Sequence, residues 1–121
     1  MSTKLKVAIE QSTYIITVSF FDEAEAAEDV KTLVWTLTDT LGNIINSRDQ
    51  VEVSNPTSEE SIVLSGDDLA IFDDEPSASE GKRLFTVEAT YDSDLGSDLP
   101  LKGEANFTVV DLTAIENEAT V

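Results

Sequence analysis

Lys31-Thr-Leu-Val-Trp-Thr-Leu-Thr38 alternates without a break: Leu33, Trp35 and Leu37 fall on one side, Thr32, Val34, Thr36 and Thr38 on the other. A period of two is the signature of a strand with one buried face, and threonine on the second face favours strand while tolerating water. Asp39-Thr-Leu-Gly-Asn43 follows, where Gly42 or Asn43 can take positive φ, so the segment is expected to fold back as a hairpin onto residues 44–53. Arg48, Asp49, Gln50 and Glu52 make that returning strand polar, which suits a sheet edge.

The same period extends outward in both directions. Leu5, Val7 and Ile9 alternate first, then Tyr14, Ile16, Val18 and Phe20. Beyond the turn at Asn55-Pro56-Thr57, Ile62 and Leu64 mark a short strand over 61–65, and Phe85, Val87, Ala89 and Tyr91 share one face of residues 82–91. Leu101, Ala105, Phe107 and Val109 do the same in 99–111. Residues 66–71 are expected to make one helical turn with Leu69 plugging the core, and residues 73–81 a polar loop, the place where mobility is expected. These segments give an all-β reading: seven strands in a single domain over residues 1–112, followed by a patternless tail, 113–121, expected to fray.

Seven short strands, regular turn signals and a lone Trp35 on the third strand resemble the immunoglobulin and fibronectin type III-like superfamily. The resemblance rests on Val34-Trp35-Thr36, the corner from Leu64 to Leu69 and the strand from Phe85 to Tyr91. It implies a seven-stranded Greek-key, immunoglobulin-like β-sandwich. No cysteine pair flanks Trp35 and Tyr91 stands late in its strand, so no functional residue is carried over. The chain is also similar in genre to small acidic immunoglobulin-like proteins of tailed phages, prophages and bacterial surfaces, which implies a structural part in an assembly.

Composition narrows the chemistry. The 121 residues carry 25 Asp and Glu against 7 Lys and Arg, a formal charge of -18, with no histidine and no cysteine. Such a chain repels nucleic-acid phosphate and anionic lipid and attracts cations or basic proteins. Without His and Cys it lacks the commonest general base, thiol chemistry and the usual transition-metal ligands. No G-x-S-x-G, S-x-x-K or glycine-rich phosphate loop occurs, so the expectation is no enzyme, no catalytic residue, no cofactor and no resident metal. No run is long enough for a membrane span or a signal h-region after Lys4 and Lys6, and the product is expected in the cytoplasm as synthesised, with assembly into a particle open.

The acid is segregated into connectors at 22–29, 66–80 and 92–98. In the sandwich reading, Asp22, Glu23, Glu25, Glu28 and Asp29 come to the same pole as Asp92, Asp94 and Asp98. Clustered carboxylates on paired loops are what Ca2+ needs, and Asp92-x-Asp94-x-Gly96-x-Asp98 superficially resembles a calcium loop, without the later bidentate Glu. A solvated surface is the preferred reading, calcium-dependent adhesion or ligand binding the alternative, and acidic DNA mimicry a lesser one, since mimicry needs charge along one rigid face. Phe21 and Phe72 stand outside the core pattern: either they cap the ends of the fold, the preferred reading, or they anchor a protein partner. The expected function is a non-catalytic structural or protein-interaction module, with a protein partner or homo-oligomer, in a virion or surface complex. Residues 44–53 and the first strand are its candidate edges for strand addition.

Overall fold

The computed structural model describes residues 3–72 and 80–115. Its centre is an antiparallel ladder of three strands, β4 (Thr32–Thr38), β7 (Glu80–Ser93) and β8 (Gly96–Val110); β1 (Thr3–Lys4), β2 (Ala8–Ile9), β3 (Thr13–Ser19), β5 (Val51–Glu52) and β6 (Glu59–Ser65) complete the set. One sheet has the order β1-β8-β7-β4-β5 with β2 also on β8, and the other is the two-stranded ribbon β3-β6. The fold is all-β, and among the described residues there is one short 3-10 turn, at Gly66–Leu69.

Alternation decides which side is core. Trp35 pairs with Val87 and Leu37 with Phe85 across β4 and β7, and Leu33, Trp35, Leu37, Phe85, Val87, Ala89 and Tyr91 are all buried. From the ribbon, Ile16, Phe20, Ile62 and Leu64 join the same cluster, so the core lies between the two sheets. Trp35 and Phe85 meet at 5.5 Å between ring centroids, and Tyr14 stacks on Phe107 at 4.8 Å, both within the range of favourable aromatic pairs. Leu69 is fully buried beneath the 3-10 turn, in the plugging position expected of it.

The hairpin turn after β4 is built by Asp39, whose Oδ1 accepts the N–H groups of Leu41 and Asn43, while Gly42 takes φ +89°. This is an Asx-type turn with glycine at the left-handed position. The return is not one strand over 44–53. Ile44 makes a single bridge to Thr38, the backbone then detours through positive φ at Asn46, Ser47 and Gln50, and only Val51–Glu52 pairs again with β4. The detour turns Ile45 fully into the core and lets Arg48 reach Asp68, so the polarity of this segment serves a loop.

A second departure concerns the first strand. Leu5, Val7 and Ile9 do not share a buried face: β1 and β2 are two-residue pieces, each parallel to β8, with Thr3 opposite Ala105 and Ala8 opposite Val109. Ala8 is the buried residue, while Val7 is 59% and Ile9 41% exposed. A two-residue turn then crosses to β3, Ser12 N–H donating to the Ile9 carbonyl with Gln11 at φ 53°. A left-handed non-glycine residue costs roughly 1–2 kcal/mol.

The last connector is shorter than its acid suggests. β7 and β8 run on through Ser93 opposite Gly96, leaving a tip of Asp94 and Leu95 and an irregularity between Tyr91 and Ser93. The polar loop expected at 73–81 falls on residues 73–79, outside the described residues, apart from Glu80 and Gly81, which belong to β7. Residues 116–121 of the expected tail also lie outside them, and residues 113–115 form an exposed turn closed by Ile115 N–H on Leu112 O.

Leu37→Ala is expected to cost about 2–5 kcal/mol in urea unfolding, because a fully buried leucine leaves a cavity. Ile15→Thr, on the solvent face of the ribbon, is expected to change stability by less than about 0.5 kcal/mol.

Candidate functional site

Three regions carry the polar and exposed apolar groups: the pole at Lys31, the opposite pole around Asp68, and the open side of the ribbon.

At the first pole the acidic connector at 22–29 reaches the end of β7, and Lys31 reaches the acids of the connector at 92–98. Tyr91 donates its hydroxyl proton to Glu23 Oε1 at 3.0 Å, and burial, then Glu23, then the charges of Asp22 and Glu28 push the phenol above its ordinary pKa. Lys31 Nζ sits between Asp98 Oδ1 at 2.6 Å and Asp92 Oδ1 at 3.2 Å. Asp98 N–H donates to the same Asp92 oxygen; with Lys31 it holds Asp92 below the usual carboxylate range, and the two aspartates raise Lys31. An ammonium group therefore lies where the calcium alternative would place an ion. Among the described residues no group of three or more acidic, histidine or cysteine side chains is arranged to hold a metal.

Other acids of these connectors serve the backbone. Asp22 Oδ1 accepts from Ala24 and Ala26 N–H, and Asp29 Oδ1 accepts from Ser58 N–H, tying the loop to the start of β6. Carboxylates that satisfy turn amides replace solvent as hydrogen-bond partners and fix loop shape.

The opposite pole holds three buried charged residues that period-two reading overlooks: Asp68, Arg83 and Glu10. Asp68 accepts from Arg48 Nε at 2.6 Å, Asn46 Nδ2 at 2.9 Å and Ser65 N–H at 3.1 Å. Burial works to raise its pKa, but these donors prevail and hold it below the ordinary value. Arg83 lies on the inward face of β7, donating to the Ala70 and Lys82 carbonyls, with its guanidinium 5.8 Å from the centroid of Phe72. Gly81 makes room for it, since a Cβ there would lie 2.9 Å from Arg83 Nη2. Phe72 is thus a buried end cap. Glu10 Oε1 accepts from Leu112 N–H, and burial, joined by neighbouring Asp111, pushes its carboxyl up.

The third region is the open side of the ribbon. Phe20 N–H donates to Ser58 O and Gly66 N–H to Ser12 O, so the even residues of β3 direct their main-chain groups to β6. In an antiparallel ladder the alternate residues, Thr13, Ile15, Thr17 and Ser19, direct theirs the other way. Among the described residues that edge pairs with no other strand. Beside it opens a groove of about 430 Å3 floored by Ile16, Val18, Phe20, Phe85, Val87 and Leu101 and rimmed by Thr3 and Leu5. Exposed apolar residues flank it: Phe21 at its end, bridging to Ala27, and the directly paired Ile15 and Val63 on the outer face, 59% and 55% exposed.

Comparison of the chain with protein-family models, with curated proteins and with solved structures gave no match. No helix of the described residues is long and apolar enough to cross a membrane.

Asp68 carries the clearest pH dependence. Its folded pKa lies below the unfolded value of 3.8, so its stabilisation is present above that pH and is lost as pH falls through the folded pKa. Asp68→Ala is expected to cost about 2–3 kcal/mol at neutral pH, lowered from the fully buried case because Arg48 is partly hydrated. Urea unfolding from pH 6 to pH 2 checks it: the variant is expected to lose less stability below about pH 4 than the parent chain.

Proposed function

We propose that this chain is a non-catalytic, immunoglobulin-like β-sandwich acting as a structural or protein-interaction module, an accessory part of a larger assembly such as a virion or surface complex. The strand order supports the family reading: β8, β7 and β4 form the centre of one layer with Trp35 on β4, β3 and β6 form the other, and β1 and β2 lie parallel on β8. That order resembles an immunoglobulin domain whose first strand belongs to the larger sheet.

The observation that carries the interaction role is the uncovered edge of β3 above its apolar groove. Main-chain donors and acceptors beside aliphatic surface are a site for an added strand, where hydrogen bonds give affinity and alternate side chains give selectivity. The pole chemistry is of another kind: Lys31, Arg48 and the turn-capping aspartates hold loops in place. The remaining negative surface keeps the module soluble and steers it toward basic partners.

Light scattering of the purified full chain, with sedimentation of material from its source, tests the role. Association in a species of higher mass, or with a particle, is the expected result. A chain that stays monomeric and sediments with nothing would contradict it.

A further inference from the structure

The edge of β3 lacks the features that ordinarily keep an edge from pairing. From Gln11 to Phe21 the chain carries no charged residue, no proline and no glycine, and β3 pairs with β6 without a bulge over seven positions, whereas exposed edges are usually blunted by charge, proline, bulges or shortness. The floor beside this edge is kept open by a glycine that the fold does not require. Gly103 stands opposite Val87 in the regular ladder, on the inward face between Leu101 and Ala105. Its φ lies outside the left-handed region, and a Cβ there would meet only Val87 Cγ2, at 3.6 Å, an ordinary contact. Glycine weakens the interior of a strand and often marks the close approach of a ligand or another backbone.

We infer that the groove takes an extended segment of another protein, added antiparallel to β3, with basic residues where it begins and aliphatic side chains at every second position after them. Its main-chain bonds are made with Ile15, Thr17 and Ser19, whose groups β6 does not use, and its residues opposite those three face solvent. The residues opposite Ile16, Val18 and Phe20 point inward, where Gly103 and Ala105, the smallest inward residues of the lining, leave room for them. Charge chooses the partner. The added segment begins at Phe20 and Phe21, beside the connector that carries Asp22, Glu23, Glu25, Glu28 and Asp29, while the far end meets Lys6, whose carbonyl accepts from the Tyr14 hydroxyl. Lys102 and Glu104 on the rim carry opposite charges. A basic head is therefore attracted to one end of the groove, which also fixes the direction of the strand. Segments of this chain suit the place less well: two copies of net charge -18 repel, and residues 116–121 would bring two more glutamates. The inference rests on the interaction-module reading and names the kind of partner for its open edge.

Two synthetic peptides and one variant of the full chain test it, by titration calorimetry and by amide exchange of Ile15, Thr17 and Ser19. The first peptide is Lys-Lys-Val-Thr-Val-Thr-Val-Thr, and the second carries Glu-Glu in place of the two lysines. Gly103→Leu fills the floor of the groove from a position with room for its Cβ. The lysine-headed peptide is expected to bind the parent chain, to protect the three amides and to bind more weakly as salt rises. Affinity is expected to be lower by roughly tenfold or more both for the glutamate-headed peptide and in Gly103→Leu. If Gly103→Leu does not fold, the two peptides on the parent chain decide alone. No binding of the lysine-headed peptide to the parent chain, equal binding of the two peptides, or an affinity untouched by Gly103→Leu overturns the inference. Protection of the three amides that rises with protein concentration alone also overturns it, because a second copy is then the occupant. After any of these failures, a chain that still sediments with a partner or particle keeps the interaction module standing, whereas one that sediments with nothing removes both.

Discussion

The ribbon of β3 and β6 exists because β7 offers it a face. Two strands alone are marginal in water, and what holds these two is burial of Ile16, Phe20, Ile62 and Leu64 against the inward residues of the larger sheet. That face is continuous from Arg83 through Phe85, Val87 and Ala89 to Tyr91, all buried, with Trp35 and Leu37 beside it. Every other feature follows from one small layer resting on one large one. The ribbon is too narrow to cover the sheet beneath it, so a groove opens where β8 passes beyond β3.

The strands and their faces were legible because period two and turn chemistry are local. Leu33, Trp35 and Leu37 declare their face within eight residues, and Asp39 and Gly42 declare the turn. Leu69 was readable as a plug because one apolar residue stands in an acidic corner. The buried charges were not legible, since their partners are distant: Asp68 meets Arg48 from 20 residues away, Arg83 meets Ala70 from 13, and Glu10 meets Leu112 from 102. Arg83 did leave one signal, standing in register with Phe85 and Val87 on the inward face. The first strand misled for another reason. Its alternation was correct as a pattern, but parallel pairing with β8 uses it in two short pieces and leaves Val7 and Ile9 outside.

The acidity also divides into local roles once partners are seen. Asp22, Asp29 and Asp39 satisfy turn or loop amides, Asp92 and Asp98 hold Lys31, and Asp68 holds Arg48. Glu23 of the connector at 22–29 bonds Tyr91 at the end of β7, next to the connector at 92–98. What joins Asp92 and Asp98 there is an ammonium group, which makes this pole a clasp between loops. Exposed apolar side chains stand at the hairpin tips, Leu41 and Leu95, and along the ribbon, where Ile15, Val63 and Phe21 lie about the open edge of β3.

Amide hydrogen exchange along β3 tests the open edge most directly. In dilute protein the account predicts slow exchange at Tyr14, Ile16 and Val18, whose N–H groups face β6, and fast exchange at Ile15, Thr17 and Ser19, whose groups face the groove side. Protection of Ile15, Thr17 and Ser19 should then rise when a partner strand covers the edge. Uniform protection of all six in the chain alone would mean the edge is already closed within one chain, and would contradict the account.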